Sequence, residues 1–80
     1  MTRVLSDPRY VHLIARLRSA REAQSLSQAQ LSLRLGKPQS FVAKYETGER
    51  RLDIVEVLSI CAALGVSLSE VLPEELRVFL

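Results

Sequence analysis

The stretch SQAQLSLRLGKPQSFVAKYETG, residues 27–48, constrains the fold most, because its capping signals define two short helices joined by a tight turn. Ser27 is a good N-cap, and Gln30 stands three residues later, where its side chain completes a capping box. Gly36 follows the first helix at the place where a left-handed C-cap is favoured. Pro38 suits the first position of the second helix, and the glycine at residue 48 ends that helix.

Apolar side chains at helical spacing are expected to hold the two helices together. Leu31 and Leu35 share one face of the first helix, and Ser32 is small enough to let another helix approach closely. Val42 and Tyr45 are expected to face inward from the second helix, and the Tyr45 hydroxyl needs water or a partner. Two short helices joined in this way cross steeply. In the DNA-binding form of the motif, the second helix lies in the major groove and the first crosses the backbone.

The same stretch resembles the helix-turn-helix of the Cro and C1 repressor family, also called the XRE family. The resemblance extends from about Leu13 through Leu72, which is most of the chain. It implies an all-α fold: a compact five-helix domain similar to that of lambda repressor, with the helix-turn-helix formed by helices 2 and 3. The positions that carry the resemblance are Gln28, Ser32, Gly36, Val42 and Glu46-Thr47-Gly48.

The remaining helices are predicted from the same kinds of signal, and 80 residues suffice for a single domain. Helix 1 is expected from the Asp7-Pro8 cap to about Gln24, after a flexible arm at residues 1–6. Asp53 with Glu56 forms a second capping box and opens helix 4. Ser67 with Glu70 forms a third and opens a short helix 5 that Pro73 ends. We expect the apolar residues of helix 4 to lie in the core: Ile54, Val55, Leu58, Cys61, Ala62 and Leu64.

Charge is unevenly distributed along the chain, although the net charge is only +2. Residues 1–51 hold ten Lys and Arg against four Asp and Glu, whereas residues 52–80 hold one against five. This asymmetry concentrates positive potential on the half that carries the helix-turn-helix. A solvated basic face without a partner is the alternative, and the motif within the basic half favours DNA.

Other classes of function find no support in the sequence. Cys61 is the single cysteine, so no internal disulfide or thiolate zinc cluster is expected, and His12 stands alone. There is no paired-carboxylate cleft and no nucleophile with a base, so we expect neither an enzyme nor a cofactor. No apolar run is long enough for a membrane span, and we expect a cytoplasmic protein.

The outward residues near the start of the second helix are the candidates for reading bases. The resemblance places Gln39 and Ser40 where they enter the groove first, and Lys44 lies one turn further along the same face. Gln can bind adenine through two hydrogen bonds, Ser can serve several bases, and Lys can reach guanine or a phosphate. Phe41 could pack in the core or contact a thymine methyl group, and the resemblance favours a position at the DNA edge.

Phosphate contacts are expected on both sides of these base readers. The resemblance favours such a contact for Gln28 at the start of the first helix, with solvation as the alternative. Lys37, which follows the turn glycine, is expected to add a further phosphate contact. Arg50 and Arg51 form a basic loop that should set affinity and salt dependence, because the planar guanidinium suits phosphate. Arg9, Arg16 and Arg18 on helix 1 either touch phosphate or are merely solvated.

A buried ion pair is implied by the resemblance, which places a basic residue before the helix-turn-helix against the Glu near its end. Here these residues are Arg21 and Glu46. An unpaired carboxylate in an apolar setting is costly, which is a physical reason to expect the pair. The alternative is a surface arginine without a partner.

The tail PEELRVFL, residues 73–80, is too apolar for a free chain end. An exposed apolar patch of this kind usually marks a partner surface. Because dimers in this family commonly form near the end of helix 5, we expect a symmetric homodimer. The alternative is a tail that folds back on its own core. The expected dimer contacts are Leu76, Val78, Phe79 and Leu80.

Together these features favour a sequence-specific regulator of transcription that binds double-stranded DNA, most simply a dimeric repressor reading a palindromic operator through the major groove. One alternative is an antitoxin, with a toxin as its partner, or a restriction-modification controller, which would use the same DNA-binding site. Another is a helical protein-interaction module that does not bind DNA.

Overall fold

A computed structural model describes residues 7–77, and this part of the chain is entirely helical apart from turns and short connections. It has the predicted all-α architecture with one additional helix after Pro73. The helices are α1 (Pro8–Ala23), α2 (Gln28–Arg34), α3 (Phe41–Thr47), α4 (Ile54–Leu64), α5 (Leu68–Val71) and α6 (Glu74–Arg77).

Side-chain caps define where four of these helices begin. The Asp7 carboxylate accepts a hydrogen bond from the backbone N–H of Arg9 at 2.9 Å, which opens α1. The capping boxes predicted at Ser27, Asp53 and Ser67 are all present, each completed by Gln or Glu three residues later. Each cap satisfies N–H groups that have no partner within the helix, so the predicted starts of these helices are confirmed.

The start of α3 differs from the prediction. Pro38 does not open the helix; its carbonyl instead accepts from the N–H of Phe41 at 2.9 Å, which closes a turn ahead of α3. Ser40 is the N-cap residue, but its side chain makes no capping hydrogen bond. The residues from Pro38 to Ser40 therefore belong to the connection, and α3 is shorter than its sequence signals suggest. The predicted end is correct, because Gly48 is a left-handed C-cap with φ of 87°.

The core lies where α1 packs against α3, α4 and α5, and α2 joins it by packing against α3. Leu35 and Leu26 are partly buried against this core, and Cys61 is buried within it, as predicted. Burial raises the pKa of the Cys61 thiol, because the thiolate would lose its solvation. The buried apolar residues are Ile14, Leu17, Leu31, Phe41, Val42, Tyr45, Leu52, Val57, Ile60, Cys61, Leu64 and Val71.

The outer face of α4 is apolar and exposed, which corrects the expectation that Ile54, Val55, Leu58 and Ala62 lie in the core. Ile54 is 61% exposed, Val55 67% and Leu58 47%. The inward face of the helix is already occupied by other apolar residues at three- and four-residue spacing, from Val57 to Leu64. A helix that is apolar on nearly all sides cannot bury every residue against a single core, so one face remains at the surface.

The chain changes direction before Pro73 and then forms α6. Leu72 has extended backbone, with φ of −70° and ψ of 136°, as is favoured for a residue that precedes proline. Leu76 lies in α6 and is partly buried. Its predicted companions in the dimer contact, Val78, Phe79 and Leu80, lie outside the described residues. The predicted arm at residues 1–6 does so as well.

Candidate nucleic-acid interface

α2 and α3 are joined by a hydrogen bond that links their backbones through one buried side chain. Ser32 of α2 is fully buried, and its hydroxyl oxygen accepts from the backbone N–H of Val42 at 3.1 Å. Val42 is the second residue of α3, where the N–H has no partner within the helix. Ser32 therefore caps α3 from the neighbouring helix and supplies the side-chain cap that Ser40 does not. The sequence indicated only that Ser32 is small.

The inward face of α3 is aromatic. Tyr45 is fully buried and meets the ring of Phe41 edge to face, with 5.6 Å between the ring centroids. The Tyr45 hydroxyl is buried and has no hydrogen-bond partner among the described residues. Burial raises the pKa of this hydroxyl, so it stays protonated.

Phe41 lies in the core rather than at an exposed edge. Its ring is packed against Tyr45, and the residue is only 6% exposed. Of the two positions that its spacing allowed, the structure has the buried one, because Phe41 is the first residue of α3 and begins its inward stripe. In this position Phe41 presents too little surface for a thymine methyl contact.

Arg21 and Glu46 form a bidentate ion pair that ties α1 to the end of α3. Arg21 Nε lies 2.8 Å from Glu46 Oε2, and Nη2 lies 3.1 Å from Oε1. The two side chains are only 9% and 1% exposed. Arg21 Nη1 also donates to the carbonyl of Leu26 at 2.6 Å, which fixes the connection before α2. The carboxylate in turn raises the pKa of Arg21.

Gln28 adds a hydrogen bond to the carboxylate of this ion pair. Its side-chain Nε2 donates to Glu46 Oε1 at 2.8 Å, and the side chain is partly buried. The carboxylate of Glu46 thus accepts from residues of both α1 and α2. The sequence analysis did not consider this contact, which uses one of the two N–H groups of the amide and leaves the other N–H for the predicted phosphate contact. Gln28 and Glu46 are 18 residues apart, so no local sequence signal indicated this hydrogen bond.

Around the start of α3, polar and basic side chains share one exposed surface. Gln39, Ser40 and Lys44 are all exposed, as is Lys37 in the turn. A shallow depression of about 280 Å³ lies among them, lined by Lys37, Pro38, Ser40, Phe41, Lys44 and Arg50. The structure therefore brings Ser40 and Lys44, two of the predicted base readers, together with Lys37 and Arg50, two of the predicted phosphate contacts. Gln39 precedes α3 in the connecting turn and is not one of the lining residues.

Phe41 supports the two cations that flank this depression. Lys37 Nζ lies 5.4 Å from the centroid of the Phe41 ring, and Arg50 Cζ lies 5.0 Å from it. Both distances are in the range of cation–π contacts, in which the electron-rich face of a ring attracts a positive charge. The aromatic residue predicted to touch DNA thus positions the basic residues around it.

Arg50 is held by a second partner that the sequence analysis did not identify. Its Nη1 and Nη2 donate to the two carboxylate oxygens of Glu56, at 3.0 and 2.7 Å. Glu56 was recognised only as part of the capping box of Asp53. The hydrogen bonds from Arg50, followed by the one from the Asp53 backbone, lower the pKa of Glu56 to about 2.

The loop between α3 and α4 is anchored to α1 by Tyr10. The Tyr10 hydroxyl accepts from the backbone N–H of Leu52 at 3.1 Å, and Arg51 Cζ lies 4.3 Å from the Tyr10 ring centroid. Leu52 is itself buried in the core. These contacts hold the basic loop in a defined position, although Tyr10 gave only the signal of an apolar helix residue.

Two arginines of α1 have acidic partners on the same helix or at its cap. Arg9 donates to Asp7 through Nε and Nη2, at 3.1 and 2.9 Å. Arg18 Nε lies 3.2 Å from Glu22 Oε2, at the four-residue spacing of neighbours on a helix. Both pairs are exposed. The charges of Arg9 and Arg18 are therefore compensated by neighbouring carboxylates at the surface of α1.

The described residues contain no group of His, Cys, Asp or Glu side chains arranged to hold a metal ion. None of the helices in residues 7–77 combines the length and the apolar character that crossing a membrane requires.

Comparison with known proteins finds the same motif over most of the chain. The helix-turn-helix family matches residues 17–71. An uncharacterised HTH-type transcriptional regulator of Sinorhizobium fredii, y4dL, is 35% identical over 57 residues, which are 71% of this chain and 29% of that protein. The chain therefore spans less than a third of the length of this relative.

A solved structure extends the similarity to the three-dimensional fold. The crystal structure of a hypothetical transcription factor, NHTF from Neisseria, superposes with a TM-score of 0.74 at 25% sequence identity. The alignment covers 99% of this chain and 91% of that one. With the family match and the packing of α2 against α3, these similarities show that the chain belongs to the helix-turn-helix family of DNA-binding transcription regulators, of the Cro and C1 repressor (XRE) type.

Proposed function

We propose that this protein is a sequence-specific regulator that inserts the start of α3 into the major groove of double-stranded DNA. The observation that carries the proposal is the depression lined by the exposed residues Ser40, Lys44, Lys37 and Arg50, with Gln39 exposed next to Ser40 in the chain. This surface lies at the end of α3 that a recognition helix directs toward base edges. The regulator names of the Sinorhizobium and Neisseria proteins support the same function.

We assign base readout to Gln39, Ser40 and Lys44. A Gln side chain can donate to N7 and accept from the N6 amino group of adenine in one bidentate contact, and Lys can donate to the guanine acceptors. Phe41 is not included, because its ring is buried and supports Lys37 and Arg50 instead.

We assign phosphate contacts to Lys37, Arg50 and Arg51. These residues come from the turn before α3 and the loop after it, so they flank the base readers on both sides along the chain. Contacts of this kind fix the position of a protein on the duplex but carry no sequence information. Gln28 stays a proposed phosphate contact, because its amide donates one N–H to Glu46 and has a second N–H for a phosphate.

We further propose that the protein acts as a symmetric homodimer on a palindromic operator and represses by occupying a promoter. Two recognition helices related by a two-fold axis would enter the major groove about 34 Å apart, one turn of the duplex. The apolar tail at residues 73–80 supports this assembly through its composition, and Leu76 in α6 is incompletely buried. A DNA-bound regulator of this kind would act in the cytoplasm.

Selection of bound duplexes from a random-sequence library tests this function directly. We expect a palindromic consensus to be enriched, and we expect enzymatic footprinting on the protein's own upstream DNA to protect a matching site. Recovery of unrelated sequences would contradict sequence-specific reading. A consensus made of one half-site would contradict the symmetric dimer and leave the base-reading surface supported.

A further inference from the structure

We propose that Glu56 is a built-in competitor of the DNA backbone for Arg50, and that it limits the affinity and the salt dependence of DNA binding. The inference rests on the proposed function, because it concerns the phosphate contact assigned to Arg50. It assigns a role at the DNA-binding surface to a residue of α4, although none of the proposed base readers lies on that helix.

The first observation is that the phosphate-binding end of Arg50 is occupied. Nη1 and Nη2 donate to the two oxygens of Glu56 in the fork geometry that a guanidinium offers to phosphate as well as to carboxylate. Nη1 also donates to the carbonyl of Arg51 at 3.1 Å. A DNA phosphate that approaches this end of the guanidinium therefore meets a carboxylate already bound there.

The second observation is that the carboxylate is anchored while the arginine faces solvent. Glu56 Oε1 also accepts from the backbone N–H of Asp53 at 2.9 Å, which fixes it in the first turn of α4. The side chain of Glu56 is 15% exposed, whereas that of Arg50 is 43% exposed. Arg50 is thus the partner that can exchange one anion for another, and Glu56 stays in place when it does.

The third observation is the place of this pair in the fold. Arg50 lies over the Phe41 ring and lines the same depression as Lys37, Ser40 and Lys44. A carboxylate at this site compensates a cation of the proposed interface and repels an incoming phosphate. Since each phosphate neutralised by a free cation releases counterions, an arginine that already has a carboxylate partner contributes less than a full cation to the salt dependence.

Replacement of Glu56 by Gln tests the competition. Gln is also a favoured residue at this position of a capping box, so the start of α4 keeps its side-chain acceptor. We expect E56Q to bind a short random-sequence duplex about three- to fivefold more tightly at low salt, the range typical of an exposed charge pair. We expect the slope of log affinity against log salt to steepen by up to about 0.9.

A double-mutant cycle with Arg50→Ala separates competition for Arg50 from the general effect of removing a negative charge. In the Arg50→Ala background, Glu56→Gln should give only the small gain seen with Glu49→Gln. Glu49 is the matched control because it is an exposed carboxylate in the same loop and has no ion pair within residues 7–77. Circular dichroism melting checks that all variants remain folded.

The possible outcomes distinguish this inference from the proposed function. An equal gain in both backgrounds, an unchanged affinity or a loss with E56Q would overturn the inference, and a loss would show that Glu56 orients Arg50 for DNA. If the wild-type protein binds no duplex with a salt-dependent affinity, the proposed function fails and the inference fails with it.

Discussion

Arg21 shows how one side chain determines the geometry of the candidate interface. It binds Glu46 of α3 and the carbonyl of Leu26, so α1, the connection before α2 and the end of α3 all depend on it. A carboxylate as buried as that of Glu46 needs its cation, because the loss of one partner leaves an unpaired charge in an apolar setting. Gln28 gives this carboxylate a neutral hydrogen bond but no compensating charge.

Arg21→Ala is therefore expected to lower the free energy of unfolding by about 3 kcal/mol, the range measured when one partner of a buried pair is removed. Urea denaturation followed by circular dichroism measures this change. Arg18→Ala is the control, because the ion pair of Arg18 with Glu22 is exposed and should be worth about 1 kcal/mol or less. Equal losses for the two variants would contradict a structural role for the buried pair.

At the level of single residues, the sequence predicted which polar side chains are exposed better than it predicted their hydrogen-bond partners. Gln39, Ser40 and Lys44 were predicted to be exposed near the start of the second helix and are exposed there, whereas Phe41, predicted at the DNA edge, is buried. The contacts of Gln28 with Glu46 and of Arg50 with Glu56 could not be predicted in the same way. A residue's local pattern does not reveal which residues from other helices will face it, since that depends on how the helices pack.

At the level of helices, α2 and α3 act as one unit because Ser32 links them. Its hydroxyl oxygen is the acceptor for the N–H of Val42, a group that a helix start cannot satisfy internally. Alanine would fit the space but would leave this buried N–H without a partner. The small size of residue 32 is therefore only part of the requirement at this position.

Ser32→Ala is expected to destabilise the fold by about 1–3 kcal/mol, the cost of an unsatisfied buried polar group. Because α3 would lose its cap, we also expect faster amide hydrogen exchange at the start of α3. Ser59→Ala, at an exposed serine of α4, should change neither quantity measurably. A stability for Ser32→Ala equal to that of the Ser59 control would show that only side-chain volume matters at residue 32.

The helix boundaries show where sequence signals succeed and where packing overrides them. Ser27, Asp53 and Ser67 each start a helix as predicted, because a capping box is a local interaction that the sequence contains in full. Pro38 failed as a start signal because α3 takes its cap from Ser32 on another helix. The outward face of α4 was mispredicted for a related reason, since the sequence does not show which of its apolar faces the core can accommodate.

At the scale of the whole molecule, one apolar segment of the sequence and one apolar surface of the structure are candidates for self-association. One is the proposed dimer tail at residues 73–80, and the other is the exposed α4 face formed by Ile54, Val55 and Leu58. Exposed apolar patches often mark interaction surfaces. Our proposal assigns the dimer to the tail, and the two surfaces can be separated by placing one charge on each.

Phe79→Glu is expected to shift the protein from dimer to monomer in sedimentation equilibrium, because a charge at an apolar contact must be desolvated without a partner. Leu58→Glu should leave the dimer intact. Such a monomer should also bind its operator more weakly, since the two half-sites would no longer be occupied by a linked pair. Dissociation by Leu58→Glu but not by Phe79→Glu would place the interface on α4 instead.

The central claim is that α3 and the turn before it read the bases of double-stranded DNA. The most direct measurement is the ratio of dissociation constants for a selected operator and a scrambled duplex, determined by fluorescence anisotropy for wild type and Gln39→Ala. We predict that Gln39→Ala weakens operator binding by about 1–3 kcal/mol and leaves binding to the scrambled duplex nearly unchanged. An equal loss on both duplexes, or an unchanged ratio, would contradict base reading by this surface.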